Sequence, residues 1–119
     1  MNHELFINFE HQKRFLELRQ QLNADLQMDH NWLPLIFLMA GNKEVENVLL
    51  PHMDLPGGKF DDKEIKDPGV LLKLAIEFYT GENALFVNDL TNLNRRDFDL
   101  ALAAIRIKHK ISWYTKERL

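Results

Sequence analysis

Between Leu93 and Trp113 the chain carries two opposed apolar stripes on what reads as one helix, which limits the folds it can adopt more than any other segment does. At about 100° per residue, Phe98, Ala101, Leu102, Ile105, His109 and Trp113 share one face. Leu100, Ala103, Ala104, Ile107, Ile111 and Tyr114 share the opposite one. Asp99, Arg106 and Lys110 lie along one flank, Asp97 and Lys108 along the other. Such a helix requires apolar surface on two sides, either two layers of its own fold or its fold plus a partner. The stretch Ile105 to Trp113 also alternates apolar and polar residues in the manner of a half-buried strand. Asp99 to Ala104 is strongly helix-forming, and no Gly, Pro or Asn intervenes, so helix is favoured and strand stays the alternative.

The remaining segments predict helices around that one. Asn8 is placed to cap a helix over residues 9 to 27, whose buried face is His11, Phe15, Leu18, Leu22 and Leu26, with Glu10 and Arg14 at ion-pair spacing. Trp32 to Ala40 is wholly apolar, so periodicity cannot separate buried helix from buried strand. Asn31 before it and Gly41 after it favour a helix ending in a left-handed turn. Asn42 is placed to cap a short helix through Leu50, ended by Pro51. Residues 51 to 67, with Pro56, Gly57, Gly58 and a charged run, form the longest irregular connection. Asp67, Pro68 and Gly81 bracket a helix over 68 to 80 that should be central, because only Lys73 and Glu77 interrupt its apolar surface. A connector follows, with an extended piece expected at Leu85 to Val87, before Asn94 caps the last helix with Asp97 three residues on. The expected fold is all-α: one domain over residues 1 to 119, four to five helices in orthogonal or bundle-like packing.

With 119 residues and 45% of them apolar, the chain can build one core. Its formal charge is −3, unevenly spread. Residues 95 to 119 hold seven cations against three carboxylates, a charge of +4, which leaves −7 for the rest. A generally basic nucleic-acid binder is thereby ruled out. The absence of cysteine removes disulfides, thiolate catalysis and zinc–thiolate sites, and fits a reducing cytoplasm. The opening Met1-Asn2-His3-Glu4 does not read as a secretory signal, and the nine apolar residues from Trp32 fall short of the roughly 20 that span a bilayer. A cytoplasmic protein without a membrane segment is expected.

Chemistry-bearing motifs are sparse. None of His3, His11, His30, His52 and His109 has a histidine or carboxylate three or four residues away, so no helical metal site is encoded locally and no cofactor is expected. Ser112, the only serine, stands in no nucleophile motif. Pro56-Gly57-Gly58-Lys59 lacks the upstream glycine and the following Ser or Thr of a phosphate loop, and reads as a turn. Asp61, Asp62, Glu64 and Asp67 lack calcium-loop spacing and alternate with Lys59, Lys63 and Lys66.

Phe6-Ile7-Asn8-Phe9-Glu10-His11, with Phe15 and Leu18 behind it, resembles the opening of a family of small proteins of bacteria and their prophages that has no assigned activity. Val70 to Thr80 and the segment from Asn94 through Trp113 are similar to that family's second half, whereas Lys43 to Lys66 is not placed by the resemblance. The shared motifs are packing patterns. The resemblance implies a compact helical domain, transfers no catalytic residue, and marks Glu10 and His11 as the polar pair to test.

Together these features point to a non-enzymatic domain that binds protein, either a different chain or a second copy in a homodimer, through one face of the last helix. Ile107, Ile111 and Tyr114 are the expected apolar centre, with Arg96, Arg106 and Lys110 at the rim. Two other readings are a nucleic-acid-associated regulator using the basic C-terminal segment, whose cations equally complement the helix dipole, and a small hydrolase centred on His11.

Overall fold

The computed structural model describes residues 5–65, 69–81 and 87–109. Six α-helices follow in order: α1 (Phe9–Gln21), α2 (Trp32–Gly41), α3 (Lys43–Leu49), α4 (Val70–Thr80), α5 (Val87–Thr91) and α6 (Arg95–His109). The two strands, β1 (Met53–Asp54) and β2 (Lys59–Phe60), pair antiparallel with Met53 opposite Phe60 and Asp54 opposite Lys59. The fold is thus mostly helical, as the sequence predicts. No helix among the described residues is long and apolar enough to cross a membrane.

The central element is α2 rather than α4. Every residue from Trp32 to Met39 is buried, and α1, α3, α4 and α6 all pack against this one helix. A helix apolar all round has no stable surface position, so the others must enclose it. Burying Phe37, Leu33, Leu35, Ile36 and Leu38 contributes about 1.5–3 kcal/mol each. By contrast, α4 buries Leu71, Leu74, Ala75 and Phe78, while Val70, Leu72, Ile76 and Tyr79 stay half-buried. The expectation that most of its circumference is covered is corrected accordingly.

Three boundaries depart from the sequence pattern. First, α1 stops at Gln21 because Leu22 turns extended, and the Asn23 side chain accepts from the Asp25 N–H at 2.9 Å to start a separate 3₁₀ turn over Ala24–Leu26. Asn competes with helical bonding in this way. Second, the cap of α2 is Asp29, whose carboxylate accepts from the N–H groups of Asn31 (2.8 Å) and Trp32 (3.0 Å). Third, Gly41 is the last helical residue and not a left-handed stop; the positive-φ glycines of the described residues are Gly58 and Gly81. Gly41 is required for space, since a Cβ there would collide with Leu100 Cδ1 and come within 3.0 Å of His11 Nε2.

Elsewhere the local signals hold. Asn42 caps α3 through Val45 N–H (3.1 Å), Asn94 caps α6 through Asp97 N–H (2.8 Å), and Gly81 ends α4 at φ 78°. Residues 51–65, expected to be irregular, contain the hairpin, which buries Leu55 and Phe60; its turn is the Pro56-Gly57-Gly58 segment. This is the extended structure of the described residues. Of the piece expected at 85–87, Val87 opens α5 and the other two residues lie outside the described residues, as do Asp67 and Pro68.

Residues 105–109 are helical, so the strand alternative fails there; 110–113 lie outside the described residues. Only one stripe of α6 faces the core. Leu100, Ala103, Ala104 and Ile107 are buried with Ala101, whereas Phe98 and Ile105 are half-buried, His109 is exposed and Leu102 is 41% exposed. Both α2 and α4 pack against α6. Ile107, at 4% exposure, therefore belongs to the core and does not centre an open interface. Replacing Ile107→Glu would bury an unpaired carboxylate and is expected to cost about 3 kcal/mol or more. Chemical denaturation monitored by circular dichroism checks this; a variant as stable as the parent would remove Ile107 from the core.

Candidate functional surface at the start of α1 and the outer side of α6

The first turn of α1 organises the polar features of the molecule. Asn8 is extended, and its side chain accepts from the His11 N–H at 2.8 Å, which positions the imidazole on the inner side of the helix. That ring is buried, 2% exposed, between Phe6 (centroids 5.2 Å apart) and Phe37 (4.4 Å). Its Nδ1 accepts from the Ile7 N–H at 3.0 Å, so the proton sits on Nε2, which donates to the Phe37 carbonyl at 3.0 Å. A helical carbonyl is open to a second donor here because Gly41, four residues on, has no side chain in the way. Burial lowers the His11 pKa to about 4; the bond to Phe37 opposes the shift and the positive charge of Arg96 adds to it. The residue that the sequence offers as a base is thus a neutral pin joining three backbone segments. A general base needs a free nitrogen, and both are taken.

Glu10 and His11 border one crevice of about 360 Å³, with Arg14, Lys43, Glu46 and Arg96 around it. Glu10 is exposed in the first helical turn, where a carboxylate complements the dipole. Arg14 does not pair with it as the spacing predicts. The guanidinium instead spans both oxygens of buried Glu46 (Nε to Oε1 2.8 Å, NH2 to Oε2 3.1 Å) and also reaches Glu17 at 3.2 Å. Lys43 adds a contact to Glu46 Oε2 at 3.3 Å. Burial raises the Glu46 pKa, but the hydrogen bonds and charges of Arg14 and Lys43 outweigh it and hold the carboxyl below its usual range. The buried Glu46 charge is accordingly balanced within the crevice by Arg14 and Lys43.

The second depression, about 370 Å³, lies between Leu5–Ile7 and the outer side of α6. Arg96, Asp99, Ala103 and Arg106 line it from the helix at spacings of three and four, with Leu102 beside Ala103. Two of the six residues expected at an interface, Arg96 and Arg106, therefore meet here around a different apolar centre. Lys110, Ile111 and Tyr114 lie outside the described residues. Leu5, Phe6 and Ile7 were missed because they precede the cap and follow no period; their one signal is an apolar triplet with no helix to belong to.

Two of the four Lys and Arg side chains of α6 make close contacts. Lys108 Nζ donates to Asn31 Oδ1 at 2.7 Å and lies 5.9 Å from the centre of the Phe78 ring, while Arg95 pairs with Asp99 at 3.3 Å. Among the described residues no group of three histidines and carboxylates is placed to hold a metal. In the acidic segment, Asp61 caps the 3₁₀ turn Asp62–Glu64 through Lys63 N–H at 3.2 Å.

No known protein family, curated protein or solved structure matches the chain. The likeness seen in Phe6 to His11 therefore rests on those residues alone.

Two measurements check the site. Unfolded histidine takes up a proton near pH 6.5, whereas folded His11 does so only near pH 4. Stability is therefore full above pH 6.5 and falls by up to roughly 3 kcal/mol as pH drops through that window. Glu46, also depressed in pKa, acts with the same sign. Urea titrations at pH 7 and 4.5 should show a smaller pH effect for His11→Phe than for the parent; equal effects would count against the pin. Arg14→Met leaves buried Glu46 with Lys43 alone and should cost roughly 2 kcal/mol, a loss that Arg14→Met combined with Glu46→Gln should partly restore.

Proposed function

We propose that this chain is a non-enzymatic helical domain that works in the cytoplasm by binding protein, and that the binding surface is the depression between Leu5–Ile7 and the outer side of α6. One observation carries the reading: half-exposed Leu102 lines one depression with the apolar residues Leu5–Ile7 and Ala103, together with Arg96 and Arg106. Apolar centres with charged rims are the usual anatomy of protein interfaces. The alternatives have less support. Among the described cations of the basic segment, Lys108 bonds to Asn31 and Arg95 pairs with Asp99, and His11 has no free nitrogen for hydrolysis.

Leu102→Asp tests the surface, because the side chain is 41% exposed and the substitution should leave the fold intact. Partner capture from the native cell and self-association by sedimentation velocity are compared with the parent. At least a tenfold loss of one of them is expected, in line with the effect of a central anchor residue. If both are unchanged in a folded variant, this surface is not the interface.

A further inference from the structure

The charges around the depression narrow the kind of partner. Asp99, the single carboxylate of its lining, is held by Arg95 at 3.3 Å. Arg96 has only a long contact to Asp97, at 3.8 Å, and that carboxylate is already engaged by the side chains of Asn42 (3.2 Å) and Asn94 (3.3 Å). Arg106, exposed, has no ion pair among the described residues. Among the described residues the lining therefore holds two cations, Arg96 and Arg106, against one carboxylate and is net positive, although the whole chain carries −3. Ten residues apart on a helix, they stand about 15 Å from each other along the axis. Between them lie Phe6, Ile7, Leu102 and Ala103.

Resting on the protein-binding reading above, we infer that the occupant is an acidic peptide segment of a partner protein, with one or two apolar side chains in the depression and carboxylates on either side reaching Arg96 and Arg106. The volume, about 370 Å³, is near the bottom of the range of about 300–1,000 Å³ for ligand clefts, enough for a pair of side chains and too small for a whole helix. Guanidinium groups suit the role because they bind carboxylates with two parallel hydrogen bonds. Residues five apart in an extended peptide are about 17 Å apart, which matches the separation of the two arginines.

Fluorescence polarisation with two labelled peptides tests the inference on the full chain. One carries Glu-Glu-Leu-Phe-Glu-Glu at its centre and the other Lys-Lys-Leu-Phe-Lys-Lys. The acidic peptide should bind at least tenfold more tightly at low salt, with the advantage shrinking as salt rises. Arg106→Glu, and separately Arg96→Glu, should erase or reverse the preference while circular dichroism stays unchanged. Equal affinity for the two peptides, no binding of either, or a preference untouched by both substitutions overturns the inference. So does tighter binding of a single-stranded oligonucleotide, or competition by a second copy of the chain in place of peptide. Loss of partner capture on Leu102→Asp alongside any of these results would leave the binding surface standing and dispose only of the acidic partner.

Discussion

The enclosure of α2 is the constraint on which the rest of the structure depends. From Trp32 to Met39 the helix offers no polar side chain to water, so it is stable only when covered on every side. Covering it brings α1, α4 and α6 around one axis although they are far apart in sequence, with α3 following at its end. The Asp29 carboxylate at one end and the Asn42 N–H, donating to the Leu38 carbonyl, at the other satisfy backbone groups where so apolar a segment begins and stops.

Where α1, α2 and α6 meet, the packing is tight enough that a single residue governs three contacts. The bare Cα of Gly41 admits Leu100 from α6 and the edge of the His11 ring from α1, and it opens the Phe37 carbonyl to that ring. His11 then ties the segment before α1 to the core through Ile7, with Phe6 and Phe37 edge-on to its ring and Phe15 packed against both phenylalanines. Its neutral form is a consequence of this burial, and so is its unsuitability as a base. The same anchoring places Leu5–Ile7 against α6 and gives the outer depression its second wall.

Charge is distributed with equal economy. Glu46 is buried yet ionised because Arg14 and Lys43 converge on it, and Lys108 is withdrawn to Asn31 and Phe78. Arg96 and Arg106, both exposed, line the depression against Leu5–Ile7. A helix whose apolar residues are not all buried by its own fold leaves surface for a partner.

Local chemistry determined much of this protein. The helical class, the caps Asn8, Asn42 and Asn94, the stop at Gly81 and the helical state of residues 105–109 all follow from side chains within a few residues, which is why they are readable in one dimension. What depended on residues distant in sequence could not be read. Gly41 is indistinguishable from a helix stop until Leu100 and His11 arrive beside it, and Arg14 is equally spaced for Glu10 until α3 brings Glu46. A helical wheel shows two stripes on α6 but cannot say which one faces α2. Tertiary packing decided that Ile107 goes inside and Leu102 stays out, because α6 packs on α2 and α4 and burial follows the neighbours that the fold supplies.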